Sequence, residues 1–175
     1  MNARRIDRRV QHTRAALAKA FTQLFFERGY DGFTIADIVD RADVGRSTFY
    51  EHFRGKDALL AETVQCPFAP LARVVDRDAQ SGGLLPVLEH FRANRKSARA
   101  TMGRDASRRA LTRVLSAMIE QRLASRAPSI DRCAARLRLA ALALAQAQLG
   151  VIAAWATGQI AGETRDVADI LHALG

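Results

Sequence analysis

The segment GRSTFYEHF gathers a guanidinium, hydroxyls and an imidazole on Arg46, Ser47, Thr48, Tyr50 and His52. Groups of these types donate hydrogen bonds to phosphate oxygens and to base edges in a duplex groove. The chemistry they suit is recognition, not bond-breaking. No Ser-His-Asp order, paired carboxylates in an apolar setting or phosphate-cradling glycine loop accompanies them, so no catalytic residues are expected. His90 and His172 stand alone, and Cys66 and Cys133 lack the spacing of a metal knuckle, so neither metal nor other cofactor is expected. The two cysteines read as reduced, buried thiols of a cytoplasmic protein.

The elements that carry this segment read as helices throughout, with no period-2 run bracketed by turns. From about Asp7 to Arg28, Val10, Thr13, Leu17, Ala20, Phe21, Leu24 and Phe25 recur at helical spacing, and Gly29 follows as a C-cap glycine. Thr34 is placed to cap a short helix whose apolar face is Ile35, Ile38 and Val39. A tight turn then leads to GRSTFYEHF, where Phe49 and Phe53 sit four apart. Two short helices joined this way describe a helix-turn-helix over 34–53. Its core should close with Ile35, Ile38, Val44, Phe49 and Phe53 against Leu17, Phe21 and Phe25, leaving Arg46, Ser47, Thr48, Tyr50 and His52 outside. Further helices are expected from Lys56 until Pro67 and Pro70 end or kink it, then over 84–96, 105–126 and 130–157, with a last one in TRDVADILHAL.

The balance of charge agrees with a polyanionic partner. Lys+Arg 27 against Asp+Glu 18 gives +9 over 175 residues, favouring nucleic acid before an anionic membrane or acidic ligand. A chain 49% hydrophobic and 26% charged can bury a core, which excludes wholesale disorder. The basic start, MNARRIDRRVQHTR, is followed by no apolar run and does not read as a signal peptide. Leu139 to Gly162 carries no charge, but its Gln146, Gln148, Gln159 and many alanines suit a buried helix better than a membrane span.

The stretches FFERGYDGFTIADIV and VGRSTFYEHFRGKDALL resemble the DNA-binding domain of the tetracycline-repressor (TetR) family of bacterial regulators. The likeness spans residues 7–62, and the remainder, 63–175, is similar to the family's variable half only in length and helical pattern. It implies an all-α fold: a three-helix N-terminal helix-turn-helix domain and a C-terminal helical domain for effector binding and dimerisation. By resemblance, Thr34 caps its helix and meets a phosphate. Arg46, Ser47 and Thr48 open the recognition helix, Tyr50 and His52 form a phosphate-contacting pair, and Lys56 matches the lysine that starts the fourth helix. A cation at a helix N-terminus opposes the dipole by about 0.3–1 kcal/mol, which suggests a phosphate partner for Lys56. Many members have Ala-Gly-Val-Ser where this chain has Ala42, Asp43, Val44 and Gly45. Asp43 tolerates a left-handed turn, and Gly45 in place of serine loses a cap at a cost of a few tenths of a kcal/mol. Arg4, Arg5, Arg8 and Arg9 form a basic arm suited either to DNA contact or to solvent.

Most of the excess charge lies elsewhere. Residues 92–138 hold thirteen Lys/Arg against Asp105, Glu120 and Asp131, whereas residues 1–60 hold eleven against eight. This is either a solvated face or a surface for an anion. Two stripes run along 130–158: a small-residue seam at Ala140, Ala143, Ala147, Gly150 and Ala154, and a second at Leu137, Leu144, Val151 and Trp155 with Gln148 among them. Gln146, Gln148, Trp155, Phe91, Met102 and Met118 are candidates for a cavity lining, none assigned. The function expected is a sequence-specific regulator, a ligand-responsive repressor that binds an inverted-repeat operator as a homodimer through helices 130–158 and 164–174. Its effector is an unknown small molecule. The alternative is a DNA-binding dimer without an effector.

Overall fold

The computed structural model describes residues 3–76, 78–126 and 134–175, with side chains of the first helix from Arg8 onward. Among the described residues the secondary structure is helical, with α1 Ala3–Arg28, α2 Ile35–Ala42, α3 Arg46–His52 and α4 Lys56–Ala72. Then follow α5 Leu85–Ala93, α6 Arg95–Met102, α7 Asp105–Arg126, α8 Ala134–Thr157 and α9 Thr164–Ala173. The chain divides into two compact units, 1–64 and 65–175.

In the first unit, Leu17, Phe21, Leu24 and Phe25 of α1 pack with Ile38, Phe49 and Phe53, all buried. The expected core is present with two exceptions: Ile35 and Val44 are only half-buried. Their places are taken by Tyr30 and Phe33, buried residues of the turn after α1. Phe21 meets Phe33 edge-on at 5.4 Å and stacks on Phe25 at 5.7 Å, a clustering of rings that adds to simple burial. Gly29 takes φ 76°, which a side chain would resist, and so turns the chain out of α1. Helix α1 begins at Ala3, earlier than Asp7, because no breaker precedes that aspartate and alanine and arginine favour helix.

In the second unit the small Ala141 and Ala145 of α8 are fully buried together with Leu149 and Ile152, opposite Leu111, Leu115 and Ile119 of α7. The inward stripe of α8 therefore differs from both expected stripes. Ala140, Ala143 and Gly150 of the seam face outward, and Leu137, Leu144 and Val151 are half-buried. Gln148 and Trp155 do lie inside, Gln148 donating to the Leu71 carbonyl at 3.2 Å and Trp155 to that of Gly162 at 2.9 Å. Helix α8 has the length and apolarity of a membrane span, and 44% of that window is buried within the protein. Gly158, at φ 81°, closes it with a left-handed cap in which Gln159 N–H reaches back to Ala154.

Three expectations need correction. Helix α4 runs through Pro67 and Pro70 to Ala72. Both prolines forfeit a helix hydrogen bond, but burial of Phe68, Leu71 and Ala72 offsets the loss. The single helix expected over 84–96 is two, parted at Asn94, whose side chain bonds the His90 carbonyl at 2.9 Å and competes with helix continuation. Cys66 is an exposed thiol, not a buried one. Helix α8 begins at Ala134, and Pro128, Cys133 and the expected helix start at 130 lie outside the described residues.

Candidate nucleic-acid interface

Helix α2 is held at its start by a reciprocal cap. Thr34 Oγ1 accepts from the Asp37 amide at 3.3 Å, while the Asp37 carboxylate accepts from the Thr34 amide at 2.8 Å and from its hydroxyl at 2.5 Å. These bonds from Thr34, with help from Arg28 at 3.0 Å, lower the Asp37 carboxyl from 3.8 to about 2. The expected cap at Thr34 is thus present, and its hydroxyl proton is already directed to Asp37. Asp37 was not anticipated, although Thr-x-x-Asp is close to the capping-box spacing.

Asp43 ends α2 in the left-handed region, φ 53° and ψ 49°, the one non-glycine residue with positive φ among those described. Its amide reaches back to Asp40 and that of Val44 to Val39. This turn swings the chain into α3, whose N-cap Gly45 offers no side-chain bond. Phe49 is completely buried and Phe53 nearly so. Anchoring these two fixes the orientation of α3, from which Arg46, Ser47 and Tyr50 project into solvent. All three are exposed, while Thr48 and His52 are half-buried. The Tyr50 ring is braced edge-on against Phe49 at 5.4 Å. Arg46, Ser47 and the Tyr50 hydroxyl make no hydrogen bond or ion pair among the described residues. A guanidinium and two hydroxyls on a fixed helix therefore face solvent with their donors unspent.

Ion pairs hold this helix pair in place. Arg41 grips Glu27 through both carboxylate oxygens at 2.8 Å, joining α2 to α1. Arg14 of α1 pairs with Glu62 of α4 and lies over the Phe53 ring at 5.1 Å.

Lys56 has a partner the sequence did not foretell. Its Nζ donates to the carbonyls of Tyr30 at 2.6 Å and Phe33 at 2.9 Å, and sits 4.3 and 4.6 Å from their ring centres. Tyr30 in turn bonds Asp57. Burial lowers the Lys56 ammonium from its ordinary value, opposed by Asp31, Asp57 and Asp37. The electrostatic cost of a cation at the start of α4 is met by these carbonyls and rings, so the position does not itself require a phosphate. Arg8 and Arg9 are exposed on α1. Arg4 and Arg5 belong to α1 by backbone, and their side chains lie outside the described residues. Elsewhere, Met102 and Gln146 line a cleft in the second unit, whereas Phe91 and Met118 are half-buried.

Two short helices at a left-handed turn, braced on a third and presenting polar donors from the second, define a helix-turn-helix protein of all-α class. Residues 12–63, the helix-turn-helix region, match the family described as bacterial regulatory proteins, tetR family. The chain is 44% identical over 63 residues to the HTH-type transcriptional regulator YxbF of Bacillus subtilis, covering 35% of this chain and 17% of that one. It is 35% identical over 74 residues to the HTH-type transcriptional repressor DhaR of a Mycobacterium species, covering 42% and 37%. The matches thus span well under half the length of these relatives. Among solved structures, a TetR transcriptional regulator from Streptococcus agalactiae superposes with TM-score 0.60 and 23% identity over 98% of both chains, which extends the likeness of fold to the C-terminal unit.

Proposed function

We propose that this chain is a ligand-responsive transcriptional repressor of the cytoplasm that binds an inverted-repeat operator as a homodimer. The observation that carries the reading is the surface of α3, where Arg46, Ser47 and the Tyr50 hydroxyl stand exposed and make no hydrogen bond or ion pair among the described residues, on a helix anchored by Phe49 and Phe53. Arg46, at the first turn, is suited to a base edge. Ser47, Thr48, Tyr50 and His52 are suited to phosphates and sugar edges. Thr34 serves first as the positioning residue for α2, and Lys56 as the brace of the turn before it. Arg8 and Arg9, with Arg4 and Arg5, add non-specific attraction.

Pairing through α8 and α9 is supported by apolar side chains left outside: Leu139 at 67% exposure and Ile170 at 53%. Their cover by a second copy removes apolar surface from water, and a two-fold pair sets recognition helices about 34 Å apart for successive major grooves. An effector bound in the C-terminal unit acts only if it prefers one of two arrangements of the pair.

The test is selection of bound duplexes from a random pool at two salt concentrations. An enriched inverted repeat supports the dimeric repressor. Binding that shows no enrichment and disappears at higher salt overturns it. With the selected duplex, Tyr50→Phe weakens all sequences alike, whereas Arg46→Ala also changes which sequence is preferred.

A further inference from the structure

The residue of α3 that points most directly away from its buried side is an acid. Phe49 and Phe53 mark that buried side, and Glu51 lies two residues from each. At about 100° per residue, Glu51 therefore falls opposite the middle of the pair. Ser47 lies one turn before it on the same side, while Arg46 and Tyr50 stand to one flank. Glu51 is exposed and makes no hydrogen bond or ion pair among the described residues. Arg54, three residues on and also exposed, does not pair with it.

A carboxylate at this place helps neither the helix nor the attraction of a duplex. It sits in the last turn of α3, where the helix dipole disfavours negative charge. Elsewhere in this unit Glu27, Asp37 and Glu62 are each held by an arginine, Arg41, Arg28 and Arg14, and Glu51 has no such cation. An ionised carboxylate only accepts hydrogen bonds, so phosphates repel it. A base edge that donates removes that conflict, and in the major groove the donors are the amino groups of cytosine N4 and adenine N6. Adenine sets its N7 acceptor beside the amino group, where it repels a carboxylate. Cytosine offers the amino group without an acceptor of its own on that edge.

We infer that Glu51 is a specificity-determining residue of α3, its carboxylate accepting from the N4 amino group of one cytosine in each half of the operator. The inference rests on the operator reading above and adds a selecting acceptor to residues read there as donors. Its effect is discrimination and not attraction. Where cytosine is present the carboxylate gains a charged hydrogen bond. Where thymine or guanine stands instead, it meets an acceptor and is left desolvated without a partner.

The experiment is duplex selection from a random pool with the whole chain, its Glu51→Ala variant and its Glu51→Gln variant, each checked for folding by circular dichroism. The unaltered chain is expected to select a cytosine at one position of each half-site. Glu51→Ala keeps the rest of the sequence and accepts any base there. Glu51→Gln, whose amide suits N6 and N7 of adenine, selects adenine at the same position. Fluorescence anisotropy on the selected duplex then gives the size of the effect. Changing that C·G pair to T·A weakens the unaltered chain about tenfold per half-site, the equivalent of about 1.4 kcal/mol, and leaves Glu51→Ala unchanged. A Glu51→Ala variant that selects the same sequence overturns the inference. If it also binds every duplex more tightly, Glu51 is a repelling surface charge and nothing more. A position that Glu51→Ala relaxes but that was adenine in the unaltered chain overturns the cytosine assignment. No enriched sequence with the unaltered chain overturns the operator reading and this inference with it, whereas enrichment that Glu51→Ala leaves as it was overturns this inference alone.

Discussion

Replacing Lys56 by methionine keeps the stem of the side chain and removes its ammonium. Two charged hydrogen bonds disappear, to Tyr30 O and Phe33 O, each worth about 1.5–3 kcal/mol. Their half-buried setting argues for the lower end, about 3 kcal/mol together. The methionine sulfur recovers part of the contact with the two rings, about 0.3–1.5 kcal/mol. The net expectation is a loss of about 2 kcal/mol, read as a shift of about 1 M in the urea midpoint at an unchanged slope of about 2 kcal/mol/M. Circular dichroism of the intact chain follows it. A loss below about 0.5 kcal/mol would refute the reasoning that these carbonyls depend on Lys56, a value within the scatter of ordinary surface changes. Duplex binding of the variant, measured where it is still folded, then tests the third ammonium donor. A phosphate contact there lowers the salt slope by about 0.9, while an unchanged slope makes Lys56 a positioning residue alone.

Thr34→Ala removes one side of the reciprocal cap and should cost about 1 kcal/mol in thermal or urea unfolding. The Asp37 carboxyl, lowered from 3.8 to about 2 in the folded chain, contributes stability that is present above pH 4 and lost as pH falls through about 2. Carbon-detected titration of Asp37 should therefore show a midpoint near 2, moving up toward the ordinary value in Thr34→Ala, and a midpoint unchanged by that substitution would count against the cap as its cause. Asp43→Val forces a β-branched residue to φ 53° and should destabilise by about 1–2 kcal/mol, whereas Asp43→Gly should be close to neutral in the same unfolding assay.

Local rules carried the reading of the first unit far. Glycine after α1, threonine before α2 and aspartate in the turn each act through backbone geometry within a few residues, and such effects survive whatever the rest of the chain does. What local rules missed there was non-local: Tyr30 and Phe33 close the core and cage Lys56 across 26 and 23 residues of sequence. The proline and asparagine positions show the converse. Pro67 and Pro70 are breakers by propensity, yet burial of Phe68 and Leu71 keeps α4 helical through them. Asn94 carries no such warning in the periodicity, and its bond back to His90 still divides α5 from α6.

From sequence alone came the helical class, the two short helices with their turn, and the anchoring of α3 by Phe49 and Phe53; of the five polar residues expected outside, Arg46, Ser47 and Tyr50 are exposed while Thr48 and His52 are half-buried. Tertiary structure alone decided the second unit. Helix α8 has small or apolar residues on almost every side, so its pattern is compatible with several inward stripes, and only packing against α7 selects Ala141, Ala145, Leu149 and Ile152. That same choice turns Gly150 outward and brings Leu142 and Leu149 beside the arginines of α7. A cleft between helices is a property of their mutual placement, and no spacing along one of them encodes it.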